Sequence, residues 1–198
     1  MISRLVPGTL IVFLSYMAPA QDGTSVKPAG GSLSREAAAL FKDVETRLTS
    51  AENQIFKKLG FVLSGDHNQP FALDSESKEF SFAVQILPTD MNKDRNEEIF
   101  ILYGNSYTSG NTGSSVVLFI KNNNGQYQTN LGFPGIPQAM SEIKGGYNDL
   151  LIGGPGFTFP IWRWDGKQYA LYKTVKDSEL SKLKVLEITE LSKAYTGN

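Results

Sequence analysis

The chain predicts an α+β fold built mostly of antiparallel sheet, and three observations carry that expectation. Apolar residues recur at helical spacing between Leu33 and Leu59. From Phe61 onward they fall instead into short alternating runs punctuated by Gly, Asn and Asp turns. The 198 residues suffice for one domain with a real core, and none is a cysteine, so no disulfide substitutes for that core.

Residues 1–20 read as a signal peptide. Arg4 gives a basic start, Leu10–Leu14 lie in an apolar run too short for a stable span, and Ala18-Pro19-Ala20 forms a small-x-small cleavage site before Gln21. Cleavage after Ala20 places the mature chain in a periplasm or outside the cell, with no membrane span and, lacking cysteine, no lipid anchor. Residues 21–31 are polar and Gly-rich, a flexible leader; residues 32–198 form a single globular domain, helical over 32–60 and mainly β over 61–198. The chain has 19 basic and 20 acidic residues; without Arg4 the count is 18 against 20, a net charge of −2. That balance offers no electrostatic footing for nucleic acid.

In the helical part, Leu33, Ala37, Leu40, Phe41, Val44 and Leu48 share one face, with Arg35, Lys42, Glu45 and Arg47 elsewhere on the wheel. Thr49-Ser50-Ala51-Glu52 has capping-box spacing. It either starts a second helix carrying Ile55, Phe56 and Leu59 and stopping at Gly60, or lies inside one continuous helix. Strands are expected at Phe80–Ile86, Ile99–Tyr103, Val116–Ile120, Leu150–Ile152 and Phe157–Trp164; the apolar residues of Ser178–Thr196 suit a final strand or a short helix, with Val185–Ile188 read as strand. Asn122–Gly125 and Asp165-Gly166 suit hairpin turns, because Asn-Gly and Asp-Gly accept positive φ cheaply. The order also duplicates. Glu98-Ile99-Phe100-Ile101, a polar loop, Val116–Ile120 and Asn124-Gly125-Gln126-Tyr127 are echoed by Asp149-Leu150-Leu151-Ile152, a Gly-rich loop, Phe159–Trp164 and Asp165-Gly166-Lys167-Gln168-Tyr169. The second copy lacks the acidic loop.

That loop, Asp90–Glu98, is the one constellation with specific chemistry. Calcium takes six to eight oxygens, and a loop curling round it presents one at every second residue. Asp90, Asn92 and Asp94 do so, a backbone carbonyl near Asn96 follows, and Glu98 closes the set. The competing reading is a solvated acidic turn. The glutamate at position nine rather than twelve, together with flanking strands, argues against an EF-hand. The loop and its two-strand units resemble the FG-GAP and VCBS repeats of exported β proteins over residues about 80–173. Their pattern is Asp-x-(Asp or Asn)-x-Asp-Gly-x-x-(Asp or Glu) before an apolar strand. The resemblance implies a structural calcium ion held by Asp90, Asn92, Asp94, Asn96 and Glu98. Arg95 stands where the family has a glycine, at a position that takes left-handed backbone; an arginine held there costs roughly 1–2 kcal/mol. Two such β-hairpin units are too few for a propeller, which typically needs four to eight blades.

Trp162 and Trp164 share a strand face, where they either stack on a partner or fill the core. Tyr107 sits in the polar loop Gly104–Ser114, whose Tyr, Ser, Gly and Asn content suits partner binding or a plain hairpin tip. Gly153-Gly154-Pro155-Gly156 lacks the features of a phosphate loop and reads as a turn between strands. His67, the only histidine, lies in a polar loop with no nucleophile motif beside it, and a His-rich metal site is excluded. The expected protein is an exported, non-catalytic, calcium-stabilised β domain that binds a macromolecular partner, protein or glycan. The alternative is an extracellular hydrolase acting on a glycan through two carboxylates facing each other across a cleft.

Overall fold

A computed structural model describes residues 32–48 and 51–197. The signal peptide, the leader and the Thr49-Ser50 half of the capping box fall outside these residues. The fold is α+β with antiparallel sheets, as expected. Among the described residues no helix is long and apolar enough to cross a membrane.

The N-terminal segment holds two helices. In α1 (Arg35–Leu40) the Ser34 hydroxyl accepts the Ala37 amide and caps the start. The helix stops at Phe41, short of the Val44 and Leu48 that continue its period; Asp43 takes φ 61° and breaks the turn. Both residues still pack into the core, from irregular chain. Helix α2 (Glu52–Leu59) has no side-chain cap at Ala51 and ends at Gly60, whose left-handed φ of 73° lets its amide reach the Phe56 carbonyl. The two helices are thus separate.

A two-residue ladder of β1 (Val62–Leu63) and β2 (Phe71–Ala72) leads to the first sheet. That sheet is a meander of β3 (Val84–Thr89), β4 (Glu98–Tyr103), β5 (Ser115–Lys121) and β6 (Tyr127–Pro134). The strand expected from Phe80 begins only at Val84. Lys78–Phe80 form a 3-10 turn and Phe82 exchanges backbone hydrogen bonds with Phe71 instead of joining the sheet. Between β4 and β5, the loop expected at residues 104–114 contains the short helix α3 (Ser106–Ser109), held by a capping box between Asn105 and Thr108.

The second sheet repeats the meander with β7 (Ile136–Lys144), β8 (Tyr147–Gly153), β9 (Thr158–Trp164) and β10 (Tyr169–Lys176). After α4 (Asp177–Leu180), β11 (Val185–Glu187) adds to the free edge of β7. The expected last strand thus ends at Glu187, and Ile188 opens α5 (Ile188–Thr196), which packs on β3.

Three apolar layers hold these parts together. Leu40, Phe41, Ile55, Phe61, Phe71 and Phe82 cover one face of the first sheet, against Ile86, Ile99, Ile101 and Phe119. Its other face, with Phe100, Leu118 and Ile120, meets Leu150, Ile152, Trp162 and Trp164 of the second sheet. The far face of the second sheet, with Leu151, Ile161 and Val175, is covered by Leu180, Leu183 and Val185.

The two meanders share a register. Lys121 pairs with Tyr127 at one hairpin turn and Trp164 with Tyr169 at the other. Setting these pairs equal matches Phe119 with Trp162 and Ile120 with Arg163. Carried through the next ladder, the match sets Ile99 on Leu150 and Glu98 on Asp149. Matched residues also point the same way along the stack. Ile99 and Phe119 face the helical layer, and Leu150 and Trp162 face the preceding sheet. The sheets are therefore stacked in one orientation.

Phe119 is fully buried between the helical layer and the first sheet. Phe119→Ala should lower the unfolding free energy by about 3–5 kcal/mol in denaturant titration.

Candidate functional site

The β3–β4 loop closes on itself through side-chain oxygens. Asn92 Oδ1 accepts the Asp94 amide at 3.0 Å, Asp94 Oδ1 accepts the Asn96 amide at 2.7 Å, and Asp90 Oδ2 accepts the Arg95 amide at 3.2 Å. Each bond turns the chain by two residues or more and keeps the polar side chains of alternate residues inside the curve. Two residues take left-handed backbone to complete it, Lys93 at φ 61° and Arg95 at φ 70°. Arg95 thus occupies the conformation that a glycine would accept without strain.

Glu98 is 1% exposed and joins the loop to the second sheet. Its Oε2 accepts the Met91 amide at 2.7 Å, and its Oε1 takes a long 3.4 Å bond from the Tyr147 hydroxyl. Tyr147, at the start of β8, also accepts the Asn92 side-chain amide at 2.8 Å. Burial pushes the Glu98 carboxyl up to about 8, and the charges of Asp94 and Asp90 add to the shift against the Met91 amide. Asp94 goes the other way: partial burial raises it, but the bonds from Asn96 and Asn92 leave it below the usual carboxylate range.

Glu97 is equally buried on the opposite face, because consecutive strand residues point to opposite sides. Its Oε2 accepts the Thr46 hydroxyl at 2.5 Å and its Oε1 the Arg47 amide at 2.7 Å. The pair Glu97-Glu98 thus fastens the N-terminal segment on one side and the acidic loop on the other. In the second unit the residue matching Glu98 is Asp149, and its neighbour across the ladder is Arg163. That arginine holds it bidentately, with Nε 2.9 Å from Oδ1 and Nη2 2.6 Å from Oδ2. In the first unit Ile120 stands in the place of Arg163, so Glu98 has no cationic side chain opposite it.

The structure brings Asp90, Asn92, Asp94 and Glu98 into one hydrogen-bonded loop, with Asn96 tied in through its amide. Among the described residues no group of three or more carboxylate, histidine or cysteine side chains closes into a metal-ligand cluster. The donor set nevertheless fits a hard cation. It is all oxygen, it carries three carboxylates, and Asp90 Oδ1 is buried without a hydrogen-bond partner.

The aromatic candidates divide. Trp162 stacks on Phe133 with centroids 5.3 Å apart, and Trp164 packs against Tyr147 at 4.5 Å. Both are partly buried in the inter-sheet core, which favours core filling, one of the two roles expected for them, over an exposed partner-binding face. Tyr107 is 62% exposed and lies flat on Phe80 at 3.5 Å. An open cleft of about 580 Å³ adjoins the acidic loop where the two hairpin turns converge, bordered by Asp94, Asn122–Asn124, Tyr147, Trp164 and Lys167. In a second cavity, of about 410 Å³, the two acids are ion-paired, Glu142 with Lys144 and Asp149 with Arg163. Nothing in either cavity favours the paired-carboxylate hydrolase.

Sequence reasoning missed Glu97, Tyr147, Thr46 and Arg47. A signal for the first was present: two acids at the mouth of an apolar strand must point to opposite faces, and here both faces are covered. No family model, curated protein or solved structure matches this chain.

Two outcomes follow from the loop geometry. Arg95→Gly relieves the left-handed strain but loosens the unfolded chain, so unfolding free energy should rise by about 0.5–1 kcal/mol in chelator. Glu98 binds a proton in the folded state that the unfolded chain releases above its ordinary value of 4.5. The stability it contributes is fully present below pH 4.5 and is lost as pH rises through about 8. Unfolding free energy in chelator should therefore fall across that window, by up to ~1.4 kcal/mol per pH unit, and Glu98→Gln should flatten the slope.

Proposed function

We propose that the chain is an exported, non-catalytic β scaffold of the FG-GAP/VCBS-like type, in which calcium bound by the acidic loop braces the stack of two sheets. Asp90, Asn92, Asp94 and Glu98 supply side-chain oxygens and Asn96 its backbone carbonyl. The ion supplies positive charge and fixes the loop; it takes part in no reaction.

The observation that carries this reading is the unequal treatment of one buried acid position. Asp149 is neutralised by Arg163, whereas its counterpart Glu98 faces Ile120 and shares its loop with two further carboxylates. A buried carboxyl without a counter-charge holds its proton, as Glu98 does below about pH 8; a divalent cation would take the place of that proton and let the carboxylate ionise in the core. The left-handed Arg95 supports the same reading, since the loop keeps the turn that the family assigns to glycine even with an unsuitable residue. Extracellular calcium modules work at about 10⁻⁴–10⁻³ M affinity, which suits an exported protein.

Once braced, the stack presents its hairpin turns and the cleft beside Asp94 to a macromolecular partner, protein or glycan. Rigid turns at one end of a β scaffold are suited to binding because little order is lost when a partner docks.

Thermal melting of the mature chain tests the ion. With 10 mM calcium against chelator, a site of 10⁻⁴–10⁻³ M affinity gives about 1.4–2.7 kcal/mol, or roughly 3–10 °C. Asp94→Ala should abolish most of that difference. Equal wild-type melting temperatures in calcium and in chelator would sink the proposal.

A further inference from the structure

The outer face of the second sheet carries a feature that the calcium reading does not use. Here lies the basin of about 410 Å³, bounded by β7, β9, β10 and the turn between α4 and β11. On its floor Arg163 is fixed in place: Asp149 takes Nε and Nη2, and the guanidinium lies 3.5 Å over the Tyr172 ring. Lys173, Lys182 and Lys184 border the basin, all exposed and, among the described residues, with no acid at ion-pairing distance. Lys144 is the exception, 3.3 Å from Glu142. The rim is anchored, since Leu183 packs into the sheet and the Lys184 carbonyl accepts the Ser141 amide at 2.9 Å. A chain of net charge −1 thus gathers three lysines without an acid partner among the described residues, Lys173 lying 5.7 Å from the Tyr172 ring, and one rigid guanidinium round a single depression.

We propose that this basin binds an acidic polysaccharide, with the carboxylates of successive sugar residues meeting Arg163 and the rim lysines. Three considerations select this class. The cations are spread over β10 and the α4–β11 turn, so the ligand has several separated charges and not one. The floor is the face of a sheet whose backbone groups are paired with neighbouring strands, so an acidic peptide would find no main-chain partners there. The ring at the basin, Tyr172, is covered by Arg163, so it leaves no open aromatic face on which the bases of a nucleic acid could stack. The depression falls within the usual size of a ligand site, roughly 300–1,000 Å³. This names a partner class for a face separate from the acidic loop and does not rest on the ion.

The test is affinity electrophoresis of the full mature chain through polygalacturonate, in chelator and 0.15 M salt, with dextran, polyglutamate and duplex DNA as parallel matrices. Chelator keeps calcium out of the result, so failure here leaves the melting experiment to judge the loop separately. Polygalacturonate should retard the protein and dextran should not. Lys173→Glu combined with Lys184→Glu should weaken retardation at least ten-fold with the melting temperature unchanged. Lys57→Glu with Lys58→Glu, on α2, should leave it as it was. Absence of retardation, indifference to the Lys173/Lys184 reversal, or equal retention by polyglutamate or DNA would overturn the proposal.

Discussion

Strand β4 is covered on both faces, and the carboxylates of its first residue, Glu98, and of Glu97 just before it must be met inside the protein. Much of the structure follows from that constraint. Glu97 finds Thr46 and Arg47, which fixes the N-terminal segment to the first sheet. Glu98 finds the Met91 amide and the Tyr147 hydroxyl, which fixes the acidic loop to the second. A charge at either position that lost its partners would cost more than an ordinary surface substitution, because removing one member of a buried polar pair strands the other. The two acids therefore act as fasteners between layers that apolar packing alone would align only loosely.

The two units solve the same problem by different chemistry. Where a buried acid meets an arginine across the ladder, the charge is settled within the sheet, as at Asp149 and Arg163. Where the ladder offers isoleucine, the charge must be settled by the loop. The unit without the acidic loop is thus the one whose ladder carries the arginine. The same arginine, once committed to Asp149, becomes a fixed part of the outer face. A residue recruited to balance an internal charge is then available as a rigid group for an external one.

How far the sequence disclosed this depends on where each residue spends its side chain. Apolar strands buried on both faces, such as Ile99–Leu102 and Val116–Ile120, are plain, because continuous hydrophobic runs leave no other placement. Strands β6, β7 and β10 went unread. Their residues are largely exposed or polar, β7 carries Pro137, which argues against a strand, and their places are set by pairing with neighbours rather than by their own pattern. The segment Ser178–Thr196 suits a final strand or a short helix and holds both: Ile188, the last apolar residue of the expected strand, is the first of α5. In the site, the loop oxygens were legible from their spacing. Tyr147 was not, because it lies 55 residues from Asn92 and only the folding of one sheet onto the other brings them together. Trp162 and Trp164 show the opposite limit: alternation told which face they share, not that a second sheet would cover it.

Helix α5 sets an order of assembly. Each meander is made of neighbours in sequence and can form as its strands are synthesised, since short-range pairing is fast. The core between the meanders is different. It includes Ile188 and Leu191, and α5 lies against β3, about a hundred residues earlier in the chain. Until that helix is present the two sheets have an incomplete seam, and the partly built chain exposes apolar surface that it will later bury. Helix α5 thus acts as a latch: vectorial synthesis can complete the meanders early, but the seam between them closes only once this helix has been made.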